Sequence, residues 1–380
     1  MQVLPVASGK GGVGKSLVAA NLAVALSQAG KRVILVDMDL GASNLHLLLG
    51  ISGVRKGIGT YLSSNSGSLE ELIVETDYSG LRFIPGDAEI PGMAAIKSQQ
   101  KSGLIRRMMD LKADYLIVDL GAGSGNTVMD CFLSSGQGII VTAPTLTATL
   151  NAYLFLKNAV FRILSSSLRK SSPGQAYLDS LRKDGAALQK VYIPKLLGTI
   201  REMDREGYEE YRRKISGFHP QLILNLLDDP ADAQKASKIR RSCKEYLDID
   251  VEHLGIIYRD HLQDIALSSR LPIIVYKPQA VLSQAVYRIA DKLLQRPEEF
   301  SEPLDIEQVD EGFQAAEMEA DIDFESKVQD MEALLHSGAL TRGDLIETIK
   351  TQQYEISTLK KENQLLKSKL VKAFNAGFKT

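Results

Sequence analysis

Residues 8–16 read Ser-Gly-Lys-Gly-Gly-Val-Gly-Lys-Ser, a composition suited to gripping phosphate. Glycines let consecutive backbone N–H groups converge on phosphate oxygens, and a helix starting at the end of such a loop adds its positive dipole end. Gly9-x-x-x-x-Gly14-Lys15-Ser16 has the spacing of the phosphate loop of NTPases. In that pattern Lys15 reaches the β- and γ-phosphates and the Ser16 hydroxyl ligates Mg²⁺, while Gly11, Gly12, Val13, Gly14 and Leu17 complete the cradle. Hydrolysis needs carboxylates as well, to hold the metal's water shell and to orient the attacking water. "VDMDLGASN" (36–44) places Asp37 and Asp39 at the end of a strand, within reach of the nucleotide side. "LIVDLGAG" (116–123) is an apolar strand ending in Asp119, followed by glycines that can move with the γ-phosphate. Ser16, Asp39 and Asp119 are the candidate metal set. Lys10 is left over: a second cation inside the loop.

Such a site must be held by strands and helices. Short runs rich in Val, Ile and Leu alternate with longer helical patterns: 32–39, 81–87, 114–121, 138–143, 221–227, 254–258 and 271–276. Runs that are apolar on both faces read as central strands of a parallel sheet covered by helices. Amphipathic stretches such as 16–29 lie between them. The expected fold is α/β, a doubly wound, mostly parallel sheet. Pro5 sits inside the opening strand, where it cannot donate to a ladder, so it is expected where no N–H is needed.

The 380 residues allow one large domain with something added. A P-loop domain is expected over 1–296, with a charged helical insertion at 163–218. The near-neutral total hides a split: residues 297–380 carry 9 Lys/Arg against 18 Asp/Glu, which leaves 36 basic and 29 acidic residues before them. Residues 297–325 hold twelve acids and no base and read as a disordered acidic linker. A helical tail follows over 326–380. The two cysteines, Cys131 and Cys243, form no C-x-x-C pair, which argues for a reducing compartment and against a zinc or iron–sulfur site. No signal peptide precedes the loop, so the expected location is cytoplasmic. The uncharged run 131–156 is broken by glycines, Pro144 and Asn151 and reads as buried strand and helix, not a membrane span.

"KGGVGKS", with its early lysine, is a deviant Walker A motif, and the three motifs together resemble the MinD/ParA family of ATPases, its MinD and FlhG branch in particular. The resemblance covers roughly residues 1–295 and implies an ATPase that uses ATP and Mg²⁺. It also implies a homodimer with ATP sandwiched between subunits, in which Lys10 crosses to the partner's phosphates. Carried over residue by residue, Lys15 binds phosphate, Ser16 binds magnesium, Asp39 positions water and Asp119 is the Walker B acid. Asn225, in the strand "LILN", matches the family's base-contacting asparagine. The chain departs from the family at Tyr258, where a proline is usual, and at Asn151, where "APTLTATLNAY" replaces a segment with aspartate. Iron–sulfur carriers of the same superfamily need paired cysteines, which this chain lacks.

In the tail, residues 345–373 fit heptads with Ile349, Ile356, Asn363 and Leu370 at a and Leu345, Gln352, Leu359, Leu366 and Ala373 at d. One asparagine at a with leucines at d favours a parallel dimer, and Glu355–Lys360 and Glu362–Lys367 supply matching g to e′ pairs. A competing reading takes 365–379 as a basic amphipathic helix for an anionic membrane, which would place the protein peripherally on the inner face of the cell membrane. The resemblance supports that reading, since MinD ends in a membrane-targeting helix. The basic cluster 234–244 could meet DNA phosphates, as in partition proteins. The functional expectation is a spatial regulator of flagella or the division site, gated by ATP and acting on a membrane or protein partner. The alternatives are a DNA-partition ATPase and a nucleotide-binding scaffold.

Overall fold

The computed structural model describes residues 1–336 apart from 40–42, 53, 55, 65–67, 87–97, 184–190 and 297–305, and beyond 336 only scattered helical positions between 343 and 367. Eight strands form one sheet: β1 (Gln2–Ala7), β2 (Val33–Met38), β3 (Val74–Glu75), β4 (Leu81–Ile84), β5 (Tyr115–Leu120), β6 (Ile139–Thr142), β7 (Gln221–Leu227) and β8 (Glu252–Tyr258). Their order is β3-β4-β2-β5-β1-β6-β7-β8. Every pairing is parallel except β3 with β4. Successive residues face opposite layers, so Ile34 and Val36 enter one core while Val33 and Leu35 enter the other. Burial on both faces explains why these strands read as continuous apolar runs. Pro5 pairs with Val118 of β5, and the ladder to β6 starts only at Val6, which leaves a side of β1 where no N–H is required.

Five long helices matter for the site: α1 (Lys15–Gln28), α2 (Leu146–Ser167), α3 (Gln234–Leu247), α4 (Val281–Leu294) and α5 (Ile306–His336). α1 is buried at every position from Val18 to Ser27, so it is a central helix, not the amphipathic one expected. Beyond Lys15 its Ala-rich, uncharged sequence lets it pack closely on the sheet and α4. Helices at Pro173–Lys183, Ile193–Met203 and Arg205–Ile215 occupy the insertion region. The run 271–276, expected as a strand, contains a helical turn at Ile273–Tyr276 instead. Pro272 starts that turn, accepting from the Tyr276 N–H, and the Ile274 N–H donates to the Asn21 side chain.

The acidic stretch is the largest departure. Residues 297–305 lie outside the described residues, but 306–324 are helical and belong to the first compact unit, Met1–Phe324. Val309, Phe313, Ala316 and Ala320 form one buried stripe at helical spacing. The acids on either side meet cations of the preceding domain: Asp310 with Arg240 at 2.5 Å, Glu319 with Lys292 at 2.7 Å, and Asp323 with Arg288. The Tyr258 hydroxyl donates to the Ala320 carbonyl at 2.9 Å. The charge asymmetry between the two parts of the chain is thus a docking complementarity, and the folded unit ends near 324, not 296. The second unit, Glu325–Thr380, is helical at its described positions.

Beneath α5, His253 is buried edge-on against Phe313, and neither ring nitrogen has a hydrogen-bond partner among the described residues. Burial pushes its pKa down to about 3, with the Lys292 charge adding to the effect. The unfolded chain, with an ordinary pKa of about 6.5, binds this proton first. Stability from this group is therefore complete above about pH 6.5 and lost progressively as pH falls toward 3. Amide exchange over 306–324 is expected to accelerate relative to its intrinsic rate between about pH 6.5 and 5. His253→Phe should flatten that dependence.

Candidate nucleotide-hydrolysis site

The phosphate loop leaves β1 at its carboxyl end and turns directly into α1. Gly14 (φ +81°) immediately precedes the helix, and Gly12 (φ +80°) shares the left-handed conformation that side chains resist. Two glycines are also fixed by close approach. A Cβ on Gly9 would lie 2.1 Å from the Asn151 carbonyl oxygen of α2, and one on Gly14 would lie 2.3 Å from the Asn225 amide nitrogen. The loop is thereby wedged between α2 and β7.

Lys15, Ser16 and Asp119 come together. The Lys15 ammonium, 6% exposed, donates to Asp119 Oδ1 at 2.5 Å and to Ser16 Oγ at 3.3 Å. Burial pushes the Asp119 carboxyl up to about 6, against the pull of the Lys15 charge and the Ser16 hydroxyl. Asp39 is half-buried above Gly121, where an added Cβ would come 3.5 Å from its Oδ1.

Asp37 does something other than face the nucleotide. It is fully buried beside Asp119 in the β2–β5 register. Its Oδ1 accepts the Asp39 N–H at 3.0 Å, and its Oδ2 accepts the Ser43 hydroxyl at 2.7 Å and the Leu45 N–H at 3.4 Å. Asp37 thus anchors the loop that carries Asp39. Its carboxyl is raised by burial, opposed by those hydrogen bonds.

Lys10 is exposed, and its ammonium reaches the Thr147 hydroxyl on α2 at 3.1 Å. Asn225 is buried, and its amide donates to the Val13 carbonyl at 2.9 Å, so here it supports the loop from β7. Val13 is itself buried, and Leu17 offers its carbonyl to the Asn21 amide. Gly11 lies near Ala122, which follows Asp119 on the next loop.

A cleft of about 490 Å³ opens from Lys10–Val13 toward the ends of β6, β7 and β8. Leu226 lines it with φ +61°, at a bulge where β7 slips one residue against β8. Bulges re-aim side chains at functional rims, but nothing in a leucine announces one. Asp228 and Arg259, 3.3 Å apart, face each other on the same cleft wall. The sequence singles out Tyr258 but neither this pair nor Thr147. Volume and position suit the nucleoside part of a nucleotide whose phosphates occupy the loop.

A phosphate loop capping a buried helix, with a lysine, a hydroxyl and two strand-end carboxylates around it, defines a P-loop nucleotide hydrolase. Residues 1–157 match the family described as ParA, NUBPL iron-transfer P-loop NTPase. The antiactivator FleN of Pseudomonas aeruginosa is 30% identical over 245 residues, covering 60% of this chain and 86% of that protein. The flagellum site-determining protein YlxH of Helicobacter pylori is 35% identical over 159 residues, 40% of this chain and 52% of that protein. Among solved structures, the septum site-determining protein MinD from Pyrococcus horikoshii, complexed with Mg-ADP, superposes with a TM-score of 0.52 at 23% identity, covering 77% of this chain and 96% of that one. The chain belongs to the MinD/ParA family of P-loop ATPases. It is an ATPase. Cys131 and Cys243 are buried thiols on separate helices, and no cluster of metal-binding side chains occurs among the described residues.

The residues present fit magnesium nucleotide. The ion prefers few protein oxygens and keeps phosphate and water ligands. Ser16 offers one hydroxyl, and Asp119 and Asp39 stand by as carboxylates. Bound there, the ion would neutralise developing phosphate charge. With nucleotide bound, the loop N–H groups and Lys15 would orient the phosphates, and Asp37 holds the Asp39 backbone through its N–H.

Proposed function

We propose that this ATPase is a dimerising switch that sets the position or number of a cellular machine, flagella or the division site. ATP closes two subunits face to face, the closed form binds an anionic membrane or a protein partner, and hydrolysis releases it. The observation that carries this reading is the placement of Lys10. Its ammonium sits on the open rim of the loop, away from Lys15 and Asp119, tied to Thr147. Beside it, Leu146, Leu150 and Leu154 form an exposed row along α2, with Leu146 84% exposed. A cation and an apolar row on one rim suit a second copy of the same face. In that assembly Lys10 serves the partner's phosphates, Lys15 and Ser16 hold the subunit's own nucleotide and magnesium, Asp119 holds the water shell, and Asp39 orients the attacking water. Asn225 reaches the base only after leaving the Val13 carbonyl.

The relatives named as flagellum and septum site-determining proteins support the spatial role. No helix among the described residues is long and apolar enough to cross a membrane, so membrane contact falls to the tail. That tail is proposed as a parallel coiled coil over 345–373 with a basic amphipathic end at 365–379. Apart from isolated positions such as Leu366 and Lys367, both segments lie outside the described residues. The DNA-partition reading is weakened at its own cluster: Lys235, Arg240 and Lys244 of α3 already pair with Asp232, Asp310 and Asp250. Co-sedimentation separates the two. With ATP and Mg²⁺ the chain is expected on anionic vesicles, and removal of 365–380 should abolish this. ATP-dependent retention on random duplex DNA at physiological salt, with none on vesicles, would overturn the membrane reading.

A further inference from the structure

Helix α5 carries two apolar rows, besides Met318 and Ile322, which stand exposed on another face. The first is sealed on the ATPase unit by Val309, Phe313, Ala316 and Ala320. After Phe324 the helix runs into the second unit, and there Val328 and Met331 stand exposed at 39% and 46%. Phe324, Val328 and Met331 are spaced four and three apart, the alternation of a coiled-coil core. Phe324 still touches Tyr258, so Val328 is the first position of this row lying wholly in the second unit.

The frame of this row matches that of the tail. Val328 falls three heptads before Ile349 and therefore at a, and Met331 falls two heptads before Leu345 and therefore at d. No residue need be inserted or skipped to join them. The flanks agree too: Lys327 at g and Glu332 at e of the next heptad have opposite charge, the arrangement a parallel pair needs. Gly338 at d and Arg342 at a interrupt the row between the blocks. The result is two short seams in one frame. The α5 seam alone is too short to be stable in water, but once the tail has paired, it closes as an intramolecular step.

We propose that a second copy of this chain covers Val328 and Met331 in parallel, in-register pairing, so that self-association begins within α5 and needs no nucleotide. This deepens the coiled-coil part of the proposed function and rests on it. An adventitious apolar pair would have no reason to share the tail's frame or to carry a complementary g–e′ pair.

Single cysteines in the full-length, nucleotide-free protein test it, because the native Cys131 and Cys243 are buried. Under mild oxidation at micromolar protein, Val328→Cys and Met331→Cys are expected to form covalent dimers at least about tenfold faster than Gln329→Cys at the neighbouring b position, with or without ATP. Leu359→Cys reports on the tail seam alone. Dimers from Leu359→Cys but not from Val328→Cys or Met331→Cys would overturn this proposal while leaving the tail coil standing. No dimers at any of the three would overturn both. Equal rates at 328, 329 and 331, or cross-linking at 328 only with ATP, would also overturn it.

Discussion

Mixing Lys10→Ala protein with Asp39→Ala protein, each nearly inactive alone, is expected to restore ATP hydrolysis. In the proposed sandwich a Lys10→Ala subunit keeps a complete site of its own but lends nothing across the interface. An Asp39→Ala subunit lends its Lys10 but cannot orient water. A mixed dimer therefore contains one site with both an intact Asp39 and a donated Lys10. Each single variant should lose at least about a hundredfold in turnover, the scale of removing one preorganised charge-stabilising group. Because Lys10 is exposed, its replacement should change stability by no more than about 0.5 kcal/mol. Steady-state phosphate release across a range of mixing ratios is the measurement. Flat, unrecovered activity from two folded, ATP-binding variants would mean that Lys10 works only within its own subunit.

Asp119→Ala should behave in the opposite way and damage the nucleotide-free protein itself. The carboxylate and the Lys15 ammonium are 1% and 6% exposed. Removing one member of a buried pair strands the other, at a cost of about 3–5 kcal/mol. The loss should appear as a lower urea midpoint with unchanged slope. Magnesium dependence should weaken by about ten- to a hundredfold as well, since carboxylates around a metal's water shell typically tune it on that scale. Lys10→Ala and Asp119→Ala thus form a diagnostic contrast: one silent in unfolding and severe in turnover, the other severe in both. An unchanged urea midpoint for Asp119→Ala would mean that Lys15 finds other partners in the free loop.

The site was legible where chemistry dictates residue type. Phosphate needs convergent N–H groups, so Gly12 and Gly14 had to be glycine, and the Lys15-Ser16 and Asp119 positions follow from metal and phosphate charge. The strands were legible because burial on both faces leaves a continuous apolar run. Three features were not. The turn at 273–276 is as apolar as any strand, and only Pro272 distinguishes it. Leu226 adopts a backbone conformation that its side chain does not advertise. Asp37 and Asp39 look alike in the sequence, yet one is spent on the loop and the other is left half-open beside Gly121. The acidic stretch 306–324 failed for a different reason. Counting its charges locally suggests repulsion and disorder, whereas its stabilising partners Arg240, Arg288 and Lys292 lie far upstream in the chain. The four-residue spacing of Val309 and Phe313 is present in the sequence, but the surrounding net charge masks it.

Seating α5 along β8 has a consequence for any attempt to dissect the molecule. β8 is the last strand of the sheet, and its far side has no strand partner among the described residues. Exposed strand edges template pairing with foreign chains. A fragment cut at residue 296 would uncover that border together with the sockets vacated by Phe313 and Ala320, and would be expected to precipitate or to form cross-sheet aggregates. A fragment ending at 324 keeps its selvedge.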